Sequence, residues 1–597
     1  MKTTNLPTTM SRRTELLLAF TIIGLSVIYQ IHCAIHGFDL TDEGYLMSIY
    51  QWFGTDINFA KGAGGYPLTS YFGWLLNSWT PGILPMRLWG ILIVALTEVI
   101  VYLYLRRHFN PYFVLAGLFI QAVMVAGDPK PFGYNTLTAF VGILALIAML
   151  EGSFRNSYFL LFYGGFALAV NIFIRMPNVL GITYTILPAC YYAIKESSWQ
   201  CGKGILQSLF ALITMMVSTV LLWYLFPVGI KTQVTEFLTS ITTQIDGSSS
   251  HSTSNMLLSI VKNYGESILY TMLFTIAILL TAWGLKSRNI GYRIIAFCIA
   301  FILLYWPIYL CSDILGHRIF AIVNGIAIAG CIGLLYLSQE PQTRTIALAA
   351  LLLAIISPLG SDRGFVTMWT GPYLALPIGL CGLHLLLTHP FWQFQHKHFP
   401  RFSRQQLIFA YSFTCFTLFS IVISKVEFKA YYDPGFKFYK RHSVNDSPLA
   451  SGVKTDANKA DIISQVIKAI RQHSSAGETI LVFDSSPLLY YLTETRPFAG
   501  ISWPCVYFGH RYVHEFQSAV ITAEKPPLVV LQYFNSSGAW SDIHSLPFVT
   551  LPNNNAESDI MKQCIKSFIQ DNSYHEIWTN SYYSILKSDR QKVLTLN

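Results

Sequence analysis

Long apolar runs constrain this chain more than any other feature. Stretches long and apolar enough to cross a bilayer as helices recur near 15–35, 87–105, 111–127, 134–151, 157–174, 178–195, 204–227, 265–285, 292–312, 319–337, 345–358, 370–388 and 407–424. A span needs about 20 such residues, so about thirteen spans follow, the eleventh being short. Only 12% of the 597 residues are charged and 53% are hydrophobic, where a soluble domain carries roughly 25% charged residues. The chain therefore reads as a polytopic α-helical membrane protein.

The net charge of +9 is not a nucleic-acid signal, because the basic residues sit in short loops between apolar runs. With the N-terminus in the cytoplasm, inside loops carry Arg106, Arg107, Arg155, Lys195, Lys203, Lys286, Arg288, Arg293, Arg344, Lys397, Arg401 and Arg404. Outside loops carry fewer: Lys61, Lys130, Arg175, Lys231, Lys262, Arg318 and Arg363. This bias predicts an N-in orientation and, with an odd number of spans, a C-terminus outside. Arg12 and Arg13 precede the first apolar run, and no small-residue cleavage site follows it, which predicts an uncleaved first span. The ten cysteines form no CxxC pair, so neither a zinc nor a thiol-redox framework is implied. Cys505 and Cys564 remain a candidate disulfide if their domain is extracytoplasmic.

Residues 1–424 form the expected membrane domain, and after residue 425 the composition changes. YYDPGFKFYKRHSVNDSP reads as a linker. ADIISQVIKAIRQH has helical apolar spacing. Residues 477–497, opening on GETILVF and closing on LLYYLTETRP, read as strand, turn and short helix, and PPLVVLQYF as a buried strand. SDIMKQCIKSFIQDN reads as a helix and HEIWTNSYYSILKS as a closing strand pair. Residues 425–597 are thus expected to hold an extracytoplasmic α/β domain. Loop 36–86 is long and rich in glycine and aromatics. Loop 228–264 is long and Ser/Thr-rich, as a mobile lid would be. Both fall on the outer face, where function is expected.

Within FDLTDEGYLMSIYQWF, Asp39, Asp42 and Glu43 stand just past the first span. Moving a sugar onto a hydroxyl requires a base, and Asp42 or Glu43 can take the proton, its neighbour tuning it through like-charge proximity. Thr41 and Asp42 equally suit a plain N-cap of the helix that follows. A departing phosphate needs cations, and Lys61, Lys130, Arg175, Arg318 and Arg363 lie at outward positions. Arg175 is flanked by apolar residues in NIFIRMPN. An ionisable group at helix centre costs roughly 2.5–3.5 kcal/mol on insertion scales and so seeks a partner or a wet cavity; snorkelling to the interface is the alternative. GDPKPFGYNT adds Asp128 beside Lys130, and SPLGSDRGF places Asp362 next to Arg363. His510 and His514 in GHRYVHE are four apart, without a clear third metal ligand. Ser485 and Ser486 stand in no GxSxG elbow, which argues against a serine hydrolase.

The Asp42-Glu43 pair in the first outer loop, the many spans and the C-terminal α/β domain resemble the GT-C superfamily of membrane glycosyltransferases. The branch of protein O-mannosyltransferases and lipid A aminoarabinose transferases is the most similar. The resemblance implies that Asp42 is the base with Glu43 beside it, and that Lys61 and Asp128 bind substrate; Asp39, Lys130, Arg175, Arg318 and Arg363 are expected to bind substrate from their own chemistry and outward placement. Where many members carry Lys-Pro-Pro-Leu, this chain has AKGAGGYPL, so a glycine-rich insertion separates Lys61 from Pro67-Leu68. Asp128 matches the family's second-loop aspartate. The implied donor is a polyprenyl-phosphate sugar reaching the site from the membrane, and the acceptor a glycan, lipid or protein. Nucleic acid is not a partner. No cofactor is implied, although other members of the superfamily hold a divalent metal on carboxylates. The implied location is a bacterial inner (plasma) membrane. A transporter or flippase for a lipid-linked or anionic substrate is the alternative, but it predicts paired repeats and interrupted mid-membrane helices. A non-catalytic scaffold leaves the acids and outer cations without a joint explanation.

Overall fold

The computed structural model of the chain describes residues 11–55, 65–126, 132–195, 198–243, 253–309, 317–359, 371–388, 403–430, 433–483, 485–504, 509–534, 536, 540 and 556–590. Its membrane part runs α1 (Arg12–Ala34), α2 (Asp42–Trp52), α3 (Pro67–Trp79), α4 (Ile83–Leu105), α5 (Pro111–Ala126), α6 (Tyr134–Arg155), α7 (Tyr158–Ile174) and α8 (Leu187–Ile194). It continues through α9 (Ser198–Leu225), α10 (Val228–Thr243), α11 (Thr253–Lys286), α12 (Ile290–Tyr309), α13 (His317–Leu337), α14 (Pro341–Ile356), α15 (Pro372–Thr388) and α16 (Arg404–Phe428). Among the described residues, seven helices (α1, α4, α6, α9, α11, α13 and α16) are long and apolar enough to cross a membrane, and five shorter ones (α5, α7, α12, α14 and α15) are apolar. The chain is a polytopic helical membrane protein with a C-terminal α/β region.

Two expectations are corrected here. The run 178–195 is not one α-helix: Met176–Ile186 winds as a 3-10 helix with Pro177 in its first turn, and α8 follows with Pro188 in its own. At about 2.0 Å per 3-10 residue and 1.5 Å per α residue these nineteen residues still reach roughly 34 Å, enough for the hydrocarbon layer. The Ser/Thr-rich loop 228–264 is largely helical, with only 244–252 outside the described residues. Ile230, Gln233 and Val234 of α10 are buried, and the Gln233 amide donates to Ser70 Oγ of α3 at 3.4 Å. Packing has overridden the loop-like composition.

The C-terminal region contributes short pairs β1 (Lys429–Ala430) with β2 (Asp433–Pro434), and β3 (His442–Ser443) with β4 (Lys454–Thr455). Then come α17 (Ala457–His473), β5 (Thr479–Phe483), α18 (Leu488–Thr493), β6 (Arg496–Pro497), α19 (Gly509–Thr522), β7 (Leu528–Gln532), α20 (Ala556–Asp571), β8 (Tyr574–Thr579) and β9 (Tyr583–Ser588). The five-stranded sheet has the order β6-β5-β7-β9-β8, parallel through β6, β5 and β7 and antiparallel beyond. Strand alternation sorts its two faces. Leu481, Phe483, Val529 and Leu531 pack with Tyr512, Phe516, Ile565 and Phe568 of α19 and α20. Ile480, Val482, Val530 and Ile585 pack with Ile463, Val466 and Ile467 of α17, in one core with Leu40, Leu46 and Ile49 from the first loop and α2. The sheet is thereby seated on α2.

The expected linker after α16 is a built element. Asp433 is fully buried, and its Oδ1 lies 2.5 Å from Lys459 Nζ and 3.5 Å from Lys440 Nζ. Its Oδ2 accepts from Thr455 Oγ1 at 2.6 Å and from the Phe38 amide at 3.4 Å. Buried charges of this kind persist only when paired.

Gly44 of α2 has no room for a side chain. A Cβ there would come within 2.2 Å of the Leu488 amide nitrogen of α18, a backbone atom that cannot swing aside. Gly44→Val is expected to destabilise the protein by about 1–3 kcal/mol or more through overpacking, seen as a lowered Tm in detergent. An unchanged Tm would mean that the sheet region is not seated on α2.

Candidate active site

Helix α2 begins where the sequence stops being apolar, and its start is shaped by one buried acid. Asp39 Oδ1 accepts from the Thr41 amide at 2.8 Å and the Thr41 hydroxyl at 2.6 Å, and Oδ2 accepts from the Glu43 amide at 3.0 Å. Thr41, the residue at the N-cap position, makes no side-chain cap bond. The cap expected of Thr41 or Asp42 is therefore supplied by Asp39. With its carboxyl buried and turned onto these donors, Asp39 shapes the start of α2.

Burial pushes the Asp39 carboxyl up to about 8; Asp42 and Glu43 add to the rise, while the Thr41 and Glu43 donors oppose it. Asp42, at the first position of α2, is only half-buried. Two carboxyls in unlike surroundings take unlike roles. Asp42 stands at a helix N-terminus, where a negative charge is favoured.

Glu43 is held differently. Arg87 Nε donates to Glu43 Oε1 at 2.6 Å and Nη2 to Oε2 at 2.5 Å, with both side chains wholly buried. The guanidinium also donates to the Ala34 carbonyl at 2.6 Å and the Gly37 carbonyl at 3.0 Å. Glu43, the second candidate for the base, is thus held on both oxygens by charge-assisted hydrogen bonds. Arg87 was not foreseen. Its signal was an arginine inside the apolar run ILPMRLWG, where an ionisable group demands a partner.

Tyr50 stands eight residues beyond Asp42, about 12 Å along α2. Its hydroxyl donates to the Phe132 carbonyl at 2.6 Å. Nearby, Tyr66 at the start of α3 stacks on Tyr134 at the start of α6, with ring centroids 4.2 Å apart. Arg175 lies over the Tyr134 ring, its Cζ 5.8 Å from the centroid. Arg175 is extended, at the break between α7 and the 3-10 helix, and buried. The adjoining Met176 amide donates to the Gly65 carbonyl at 2.8 Å, and Thr69 Oγ1 donates to the Ile174 carbonyl at 2.9 Å. This cation is thereby stitched to the first loop, toward the opposite end of α2 from Asp42. Phe237 of α10 lies against Gly65, where a Cβ would meet its ring at 2.6 Å, so α10 covers this corner.

The C-terminal region closes the other side of α2. The Leu488 amide donates to the Leu40 carbonyl at 3.1 Å. The Tyr491 hydroxyl donates to Asn77 Oδ1 at 2.7 Å and accepts from the Gly82 amide at 2.7 Å. Trp52 Nε1 donates to the Thr495 carbonyl at 3.1 Å beneath the Arg496 guanidinium, 4.6 Å from the Trp52 ring.

Of the other expected substrate-binding residues, Lys61, Asp128, Lys130 and Arg363 lie outside the described residues, and Arg318 stands in the first turn of α13. Cys505 also lies outside them, and Cys564 is a free thiol on α20. His514 is exposed on α19 near Glu515. Among the described residues, no group of three or more His, Cys, Asp or Glu side chains is gathered as a metal would require.

No family model matches the sequence, and no curated protein matches it. Solved structures to which the chain is similar include the oligosaccharyltransferase AglB of Archaeoglobus fulgidus in complex with an inhibitory peptide and a dolichol-phosphate. There the identity is 10%, the match covers 96% of this chain and 74% of that one, and the TM-score is 0.48. ArnT from Cupriavidus metallidurans bound to undecaprenyl phosphate is similar at 12% identity, over 96% of this chain and 98% of that one, with a TM-score of 0.42. The S. cerevisiae protein O-mannosyltransferase complex bound to the sugar donor is similar over 38% of this chain and 35% of that one, at 16% identity and a TM-score of 0.28. None of these likenesses assigns a role to a residue of this chain.

Two measurements probe the acids. Arg87→Met leaves Glu43 buried without its guanidinium and is expected to destabilise by about 3–5 kcal/mol, whereas Arg87→Met with Glu43→Met recovers much of the loss. Equal losses in both variants would mean that the pair is not the source of the stability. The raised Asp39 carboxyl keeps a proton in the folded state that the unfolded chain releases between about 4 and about 8. Its contribution is whole below the ordinary aspartate range and is lost as pH rises through about 8. Asp39→Asn, neutral throughout, is expected to flatten the fall in Tm across that window; an unchanged slope would show that Asp39 is not the group titrating.

Proposed function

We propose that this chain transfers a sugar from a polyprenyl-phosphate donor to an acceptor hydroxyl in one inverting displacement, with Asp42 as the general base. The observation that carries the proposal is the difference in exposure among three neighbouring carboxyls. Asp39 and Glu43 are buried, whereas Asp42 at the first position of α2 is half-exposed, which supports Asp42 as the acid that meets a substrate. An ionised carboxylate beside the acceptor takes the proton as the new glycosidic bond forms, and the lipid phosphate leaves with the electron pair of the broken bond. To Arg175, which lies over the Tyr134 ring, we assign the stabilisation of negative charge developing on that phosphate. Lys61, Lys130, Arg318 and Arg363 are further candidates for the same task, and Asp128 for holding the acceptor or donor sugar. We place the reaction on the outer face of a bacterial inner membrane, following the distribution of lysine and arginine.

A membrane-embedded enzyme suits this chemistry, because a long polyprenyl chain is confined to the bilayer and a soluble enzyme would have to extract it. Tight carbonyl and carboxylate anchoring of Arg87 serves the same end, since a base displaced by about 1 Å can cost 10²-fold in rate.

The test is transfer from a panel of polyprenyl-phosphate sugars by purified protein. Asp42→Asn is expected to fold with an unchanged Tm and to lose activity by about 10²–10⁴-fold, as removal of a general base does. Full activity in Asp42→Asn would remove the base assignment. Donor binding without turnover in the parent protein would favour a transporter.

A further inference from the structure

The segment that follows α16 is folded inside out for a chain in water. Lys437 and Lys440 are 0% and 1% exposed, whereas Phe438 and Tyr439 between them are 70% and 71% exposed. Phe436 on the other flank is 49% exposed. The buried ammonium groups reach inward: Lys437 donates to the Val426 carbonyl at the end of α16, and Lys440 to the Asp433 carbonyl. The ring of Phe438 packs edge to face with Tyr439, their centroids 5.6 Å apart, and the Arg441 guanidinium lies 4.2 Å over it. Large aromatics directed outward while lysines are directed inward reverse the usual preference of a water-exposed turn, and adjoining apolar side chains left uncovered mark an interaction surface.

What covers this surface is indicated by its continuity with the membrane span. Phe409 and Phe416 of α16 are exposed, as the lipid-facing side of a crossing helix is, and so is Phe428 at its end. Phe428 meets Phe436 edge-on with centroids 5.2 Å apart. The exposed aromatics of α16 are thus joined to the segment beyond it through the Phe428–Phe436 contact. Beyond it the exposed residues turn basic, with Arg441, His442 and Lys454. Aromatics followed by cations are what the boundary between hydrocarbon and phosphate layers selects.

We propose that residues 436–441 form an interfacial anchor, setting Phe436, Phe438 and Tyr439 into the lipid headgroup layer and placing Arg441 on lipid phosphate. The partner is the bilayer surface at the end of α16. The anchor holds the C-terminal region down through Asp433, whose carboxylate also binds the Phe38 amide and Lys459, so it fixes the height of the first loop above the lipid. This inference rests on the membrane-spanning character of α16 and is independent of any transferase activity.

The test uses full-length protein in nanodiscs of phosphatidylethanolamine and phosphatidylglycerol, with a photoreactive benzoyl-phenylalanine placed at 438 or 439. Lipid-facing Phe416 and exposed Lys468 of α17 serve as the positive and negative positions. Lipid adducts at 438 and 439, as at 416, with none at 468, are expected. Adducts at 416 alone, or a cross-link from 438 or 439 to a second copy of the chain, would overturn the proposal. Hydroxyl-radical footprinting of the unmodified chain provides a second readout that needs no substitution. Protection of Phe438 and Tyr439 beside oxidised His514 supports the anchor, and oxidation of both at the level of His514 contradicts it.

Discussion

A single buried ion pair, Arg87 with Glu43, determines how the rest of this end of the molecule is arranged. Taking a guanidinium and a carboxylate out of water costs several kcal/mol per ion, and only near-ideal geometry with every donor satisfied offsets it. Here the carboxylate is gripped on both oxygens, and two further guanidinium donors meet the carbonyls of Ala34 and Gly37. Those carbonyls belong to the last turn of α1 and the bend after it, the carboxylate to α2 and the arginine to α4. One side chain thus fixes three elements, and none can shift without stranding a buried charge.

The remaining groups of the bend fall into place around that pair. Asp39 turns back to cap α2, and the Leu40 carbonyl accepts from the sheet region through Leu488. Gly37 pairs with Lys454 through its amide, and Phe38 with Asp433. The short acid-bearing bend is therefore held from the membrane side by Arg87 and from the C-terminal side by Leu488, Lys454 and Asp433. In such a frame the half-exposed carboxylate of Asp42 at the first position of α2 is held in place. Preorganisation of that kind is what general-base chemistry asks of its scaffold.

Much of this architecture was legible in the chain. Apolar runs locate their helices because a bilayer leaves the backbone few alternatives, and the helix of ADIISQVIKAIRQH and the strands of TILVF and LVVLQ follow from local periodicity. The acids could be found by position, yet their roles could not, because the partner that separates Glu43 from Asp42 lies 44 residues away. Likewise Asp433, Lys437 and Lys440 read as a solvated linker, since charge pairs across a fold leave no local trace. Helix α10 was concealed by its serines and threonines, and it is the packing of Ile230, Gln233 and Val234 against the first loop that makes it helical. The 3-10 stretch after Arg175 follows from prolines at 177 and 188 in an otherwise span-like run.

The central claim is that Asp42 alone among the three acids meets the substrate while Glu43 stays on Arg87. An experimental structure of the protein in nanodiscs, loaded with a non-transferable phosphonate analogue of a polyprenyl-phosphate sugar, tests it most directly. The account predicts the anomeric carbon on the Asp42 side of α2, with the phosphonate toward Arg175 and the Glu43–Arg87 pair unbroken. A sugar seated beside a different carboxylate, or Glu43 released from Arg87 and turned onto the ligand, would contradict it.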